Sequence, residues 1–142
     1  MKNLIKFLQI SLLLLAVTIP ANAYAGDKAT NAQRVKYVVK NLKLGKDVQA
    51  KIQPLLTSYL RDKDAAEAAY ESLKDKYKSA IKSNKLSEQQ AQQLLNAKWT
   101  AAEKELAVKR AYEKKFRTVL SAAKTYQCFD LLNDKNSKVL GY

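Results

Sequence analysis

From Lys85 to Leu120 the chain runs without a glycine or a proline. A stretch of that length with neither helix breaker is fit for a long helix, because Gly and Pro are the two residues that cost a helix interior most. Its start carries a stop-and-restart signal. Leu86 is followed by Ser87, Glu88, Gln89 and Gln90. Ser87 with Gln90 three residues on makes a capping box, in which each side chain takes up a backbone N–H that the first turn leaves unpaired. Glu88 suits the positive end of the helix dipole. The reading is one amphipathic helix from Glu88 to about Val119, packed on a second long helix that precedes it.

The apolar residues of this helix fall into two groups. Ala91, Leu95, Trp99, Ala102 and Leu106 form the first, and Val108, Tyr112, Phe116 and Val119 the second. At ~100° per residue the two do not share one stripe, and the centre moves back by roughly a quarter turn, the sense in which a heptad drifts. Both groups are expected to be buried, against different neighbours along the helix or by a left-handed wrap around one. Trp99 is read as core or interface. Arg110, Lys114 and Arg117 follow at i, i+4 and i+7 and make a basic row roughly opposite the second group.

The helix before it is expected from Val48 to about Ser83, with Asp47 as N-cap after the break at Gly45. Val48, Ile52, Leu55, Leu56, Tyr59, Ala66, Ala69, Tyr70, Leu73, Tyr77 and Ile81 keep to one sector. Pro54 lies about two turns in and is expected to kink it. Asp64, Glu67, Glu71, Asp75 and Lys78 occupy the opposite face; Glu71–Lys74 and Asp75–Lys78 at i, i+3 offset the like charges. That is a solvated face, not a pair of catalytic carboxylates. Asn84 tolerates the left-handed conformation that ends a helix. A short helix from Asn31, its cap, to about Leu42 presents Val35, Val38, Val39 and Leu42 on one side. A last one, opened by Ser121, runs to about Asn133 with Tyr126, Phe129 and Leu132 on one face, and Asp134 to Tyr142 is a polar tail. No segment alternates with period two, so no sheet is expected. The fold class is all-α: a long antiparallel helical hairpin with a short helix at each end. Helices of ~50 Å built from so short a chain make a thin, cradle-like object with little core, which favours a homodimer.

Composition narrows the chemistry. Met1 to Ala25 has the form of a cleavable signal peptide: Lys2 and Lys6, an apolar run from Leu8 to Ile19, Pro20, then Ala23 and Ala25 at small-x-small spacing. The run is shorter than the ~20 residues a spanning helix needs. Residues 26–142 then form a single domain, and the formal charge of +13 becomes +11 because Lys2 and Lys6 leave and no acidic residue does. For an exported protein such a charge points to acidic clients or anionic surfaces and not to nucleic acid, with membrane contact at most peripheral. There is no His, and the one Met is Met1. His-based triads, His zinc sites and thioether copper sites are thereby excluded or weakened. With three scattered Gly there is no phosphate-cradling loop. The expectation is a non-enzyme with no catalytic residue, metal or cofactor. Cys128, the single cysteine, sits among Tyr126, Gln127 and Phe129 and is read as a small buried hydrophobe, with a disulfide between two chains as the alternative.

The order short basic helix, long helix, tight turn, long helix, short helix resembles the Spy/CpxP family of periplasmic proteins, whose mark is a repeated Leu-Thr-x-x-Gln. One copy falls on Leu44-Gly45-Lys46-Asp47-Val48, where Gly replaces Thr and Val replaces Gln. The other falls on Leu120-Ser121-Ala122-Ala123-Lys124, with Ser for Thr and Lys for Gln. Leu86-Ser87-Glu88-Gln89-Gln90 fits the pattern better than either. Chains of this look also occur among Spy-like exported proteins of Bacteroidetes-type bacteria, so the resemblance is to a divergent member, over Val35 to about Asn133. It implies an antiparallel cradle-shaped dimer in the periplasm that holds unfolded or aggregation-prone envelope proteins without ATP. The alternative it implies is a regulatory partner of an envelope stress sensor. The basic row Arg110, Lys114 and Arg117 is the candidate client-binding site, and Asp47, Ser87, Gln90 and Ser121 are the candidate capping-motif residues. A helical-hairpin chaperone of the Skp type is the structural rival, but it requires strands.

Overall fold

The computed structural model describes residues 28–134 and 138; the expected signal peptide lies outside them. Among the described residues five helices follow in order: α1 (Asn31–Leu42), α2 (Lys46–Lys76), α3 (Lys78–Lys82), α4 (Glu88–Arg117) and α5 (Ala122–Asn133). There is no strand among the described residues; Lys28 makes an isolated bridge, and Ala29 N–H donates to the Lys138 carbonyl at 3.0 Å. The protein is an all-α helical hairpin in which α2 packs along α4.

Local chemistry sets each boundary. Ser87 Oγ accepts from Gln90 N–H at 3.1 Å and Gln90 Oε1 accepts from Ser87 N–H at 3.1 Å, the reciprocal cap expected from the sequence. Ser121 Oγ accepts from Lys124 N–H at 3.2 Å and opens α5. Asn84 adopts φ 54°, Lys85 N–H reaches back to the Ala80 carbonyl and Asn84 N–H to that of Ile81. These are the two bonds of a Schellman stop. Two caps are displaced from their expected places. Thr30, not Asn31, caps α1 and forms a capping box with Gln33. Gly45, not Asp47, is the N-cap of α2: Lys43 already turns left-handed at φ 52° to end α1, so the chain re-enters a helix sooner. Asp47 sits in the first turn, where its charge still suits the dipole. The helix continues through Pro54 and is interrupted at Tyr77.

The core gathers at one end, here called the base. Val35, Val38, Val39 and Leu42 of α1 meet Ile52, Leu56, Tyr59 and Leu60 of α2, Tyr112 and Phe116 of α4, then Leu120, and Cys128 and Leu132 of α5. Tyr59 is its hub, edge-on to Tyr112, Phe116 and Phe129 with ring centroids 5.5, 5.9 and 5.7 Å away. Edge-to-face packing of this kind adds to the burial itself. Cys128 is fully buried, as a small hydrophobe, and burial pushes its thiol pKa up to about 12. On α5 the inward face is Thr125, Cys128 and Leu132, not the expected Tyr126, Phe129 and Leu132; Phe129 is half-buried and Tyr126 points out.

α1 and α5 are antiparallel and cap one another. Arg34 donates to the Leu132 carbonyl at 3.2 Å and Lys124 to the Leu42 carbonyl at 2.8 Å. Each cation thus satisfies a last-turn carbonyl of the other helix, which has no partner within its own. Tyr37 also donates to Asp134 at 2.8 Å.

Beyond the base, α2 and α4 continue together as a two-helix arm. Among the described residues Ala101 is the one buried there. Leu94, Ala97, Ala101 and Val108 of α4 share the side toward α2, where Ala66, Tyr70, Leu73 and Tyr77 are half-buried. Polar ties assist. Tyr112 donates to Asp62 at 2.6 Å, and Tyr77 donates to Gln93 at 2.5 Å. Lys63 lies 2.8 Å from Glu67 and 3.7 Å from Glu105, and Lys109 lies 2.7 Å from Glu105.

Candidate functional site

Of the first apolar group of the long helix only Ala91 is half-buried, and the other four residues are exposed. Leu95 is 45%, Trp99 56% and Leu106 51% exposed, with Ala102 exposed between them, which corrects the expectation that the described residues of this chain bury this group. The face that does meet α2 lies one residue back, at Leu94, Ala97 and Ala101. At ~100° per residue the two faces are about a third of a turn apart. The quarter-turn drift in the sequence therefore separates a packed face from an open one. Leu95, Trp99, Ala102 and Leu106, spaced four, three and four residues apart, form a straight apolar stripe over ~17 Å of helix surface.

The stripe continues into a crevice between α4 and α5. Its first section, about 320 Å³, is lined by Leu106, Lys109, Arg110, Glu113, Phe129 and Asn133. The next, about 270 Å³, is lined by Glu113, Arg117, Ala122, Thr125, Tyr126 and Phe129. Glu113 and Phe129 belong to both, so the sections join. The reason lies in the lengths of the helices. α5 runs back along α4 from Ala122 and stops at Asn133, level with Leu106; beyond that point nothing among the described residues covers this side of α4. Tyr126, 75% exposed, stands at the far end of the crevice.

Of the expected basic row, Arg110 and Arg117 line the crevice, and Lys114 is exposed on the turn between them. None of the three makes an ion pair among the described residues. Lys98, on the other flank, rests over the Trp99 ring at 5.4 Å. Lys109 is committed to Glu105; burial opposes ionisation of that carboxyl, but the Lys109 hydrogen bond and the Lys63 charge outweigh it and hold its pKa below the usual carboxylate value. The expected capping residues do local structural work instead: Ser87 and Gln90 at the tip of the arm, Ser121 at the foot of α5 and Asp47 in the first turn of α2 are all away from this track or on its margin.

The track therefore unites two expected features, the basic row and the first apolar group, and adds Phe129 and Tyr126 of α5. Their signal in the sequence was the spacing Leu95–Trp99–Ala102–Leu106, which specifies a stripe without saying whether the protein covers it. No group of three or more His, Cys, Asp or Glu placed to hold a metal ion occurs among the described residues, and no helix among them is long and apolar enough to cross a membrane. No family model, curated protein or solved structure matches this chain.

Proposed function

We propose that this protein is an exported, ATP-independent holding protein of the periplasm that binds unfolded or aggregation-prone envelope proteins. The observation that carries the reading is the apolar track of α4 and α5, which no described residue covers and which is flanked by cations that have no ion partner among the described residues. Large apolar side chains left open in a row mark a binding surface, and a basic rim draws acidic chains in by long-range attraction. The signal-peptide pattern of residues 1–25 supports export. Aggregation of a reduced, unfolded protein, followed by light scattering without ATP, tests the reading. Suppression at a several-fold molar excess of this chain is expected, and its absence removes the proposal.

A second reading, a regulatory partner of an envelope stress sensor, is favoured by the crevice, whose fixed walls suit one defined partner better than many. A pull-down from envelope extract separates the two. Many substoichiometric clients favour holding, and one stoichiometric partner favours regulation.

A further inference from the structure

We infer that the occupant of the α4–α5 track is an amphipathic helix of another protein, apolar on the face it presents and acidic along its flanks. The inference rests on the binding role proposed above and specifies the partner's form and charge.

The form follows from the walls. The track is made of helix surface throughout, and the backbone N–H and C=O groups of α4 and α5 are spent within their own helices. An extended segment laid on it would bury backbone groups with nothing to pair them, at a cost comparable to a lost hydrogen bond for each. A helix brings its hydrogen bonds with it and needs only side-chain contacts, the helix-in-groove mode of recognition. The stripe is also spaced for it: apolar residues at Leu95, Trp99, Ala102 and Leu106 follow the four-and-three rhythm that ridges of a second helix enter. The small Ala102 between Trp99 and Leu106 leaves a notch for one large side chain. From Leu95 to Arg117 the track measures ~33 Å, the length of a helix of about 22 residues.

The charge follows from the rim. Lys98 lies on one flank and Arg110, Lys114 and Arg117 on the other, and the last three have no ion partner among the described residues. Glu113 is the acidic residue lining the crevice itself. Glu103 lies on the arginine flank nearer the tip, so carboxylates of the visiting helix would meet cations at Lys98 on one side and along Arg110, Lys114 and Arg117 on the other. A lysine-flanked helix would meet repulsion, and this is what selects between them.

The test uses the chain purified without its first 25 residues, which keeps every element described above. Three peptides of about 22 residues serve as probes. One carries Leu and Phe at helical spacing with Glu on the flanks, the second has Lys for Glu, and the third has the composition of the first with Pro at its centre. Trp99 is the single tryptophan, so its emission reports occupancy of the stripe directly. The acidic helical peptide is expected to shift that emission to the blue, to gain helicity on binding, and to bind at least tenfold tighter than either of the others. The double variant Arg110→Glu, Arg117→Glu is expected to reverse the order of the acidic and lysine peptides. Equal binding of the proline peptide overturns the helical form, and equal binding of the lysine peptide overturns the charge. A silent Trp99 overturns the place. A Trp99 already shielded, in step with self-association on sedimentation, shows that a second copy is the occupant and overturns the inference as well. Suppression of aggregation that persists without any peptide preference sinks this inference and leaves the holding role standing. Peptide preference without suppression does the reverse.

Discussion

The base and the arm use the same two long helices and treat them differently. At the base α2 and α4 are flanked by α1 and α5, and four helices enclose a core in which Ile52, Leu56, Leu60, Phe116 and Cys128 are fully buried. In the arm the same helices have only each other among the described residues, and of these Ala101 is the one that becomes buried. A pair of helices can each cover one side of the other and no more. The arm therefore joins through alanines and half-buried side chains such as Tyr70, Leu73, Tyr77 and Leu94, and Leu95, Trp99 and Leu106 face outward. The enclosed core belongs to the base, while the open apolar stripe belongs to the arm and runs on into the crevice at the edge of the base.

That contrast can be broken most directly by truncation at either end. Phe116→Ala in the base is expected to cost about 3–5 kcal/mol, read from urea unfolding followed by circular dichroism. Trp99→Ala in the arm is expected to cost no more than about 1 kcal/mol, because the ring is more than half exposed and gives up chiefly its surface contact with Lys98. A comparable loss at both would mean that the stripe is covered in solution and that the two halves are not different in kind.

Alkali sharpens the comparison next, because the groups that resist ionisation lie in the base. Burial pushes the Tyr59 pKa from 10.0 up to about 12, chiefly through loss of hydration with a contribution from Glu105, and burial alone pushes Cys128 from 9.0 to about 12. Both are raised, so their neutral forms contribute stability that is complete below the unfolded values and lost as pH climbs toward the folded ones. Stability is expected to fall by a few kcal/mol on the order of magnitude between pH 9 and 12. Cys128→Ala should remove the earlier part of that slope, and the native thiol should resist labelling until denaturant opens the base. Early labelling of Cys128 at neutral pH would show the base to be looser than its packing.

A small and local stability effect belongs to the tip of the arm. Ser87→Ala removes one side of the capping box and is expected to cost about 1 kcal/mol. Hydrogen exchange should place that loss in the arm, where α4 begins, with protection at Phe116 and Leu56 little changed. Uniform loss across both halves would mean that arm and base unfold as a single unit.

What the sequence made legible follows the same division. Where local chemistry decides, it could be read: the Ser87–Gln90 box, the cap at Ser121, the left-handed Asn84 and the valine face of α1 stand as expected. Caps at Asn31 and Asp47 were off by one and two residues, since Thr30 and Gly45 offer equally good extended backbone and only the left-handed Lys43 decides where α2 restarts. The open stripe could not be read as open. Periodicity weighs large apolar residues, so it selected Leu95, Trp99 and Leu106 over the neighbouring Leu94, Ala97 and Ala101 that actually meet α2. Tyr126 was assigned inward for the same reason, when the smaller Thr125 and Cys128 fill that place. An apolar stripe looks the same in sequence whether its cover comes from the same chain or from another molecule. The basic row was visible as a row; that it borders a crevice depends on where α5 stops.

The reciprocal capping of α1 and α5 also fixes an order of assembly. Arg34 and Leu132 are 98 residues apart in the chain, and Leu42 and Lys124 are 82 apart. The turn at Asn84, by contrast, is closed by hydrogen bonds between near neighbours, and local contacts form before distant ones because they require less loop closure. A chain delivered from its N-terminus can make α1, α2 and the tip turn early. It cannot close the base until its last helix has arrived. Until then the tyrosine-centred core lies open in addition to the stripe of α4 that stays open afterwards, so the chain is expected, before α5 docks, to present the same kind of surface that it is proposed to shield in others.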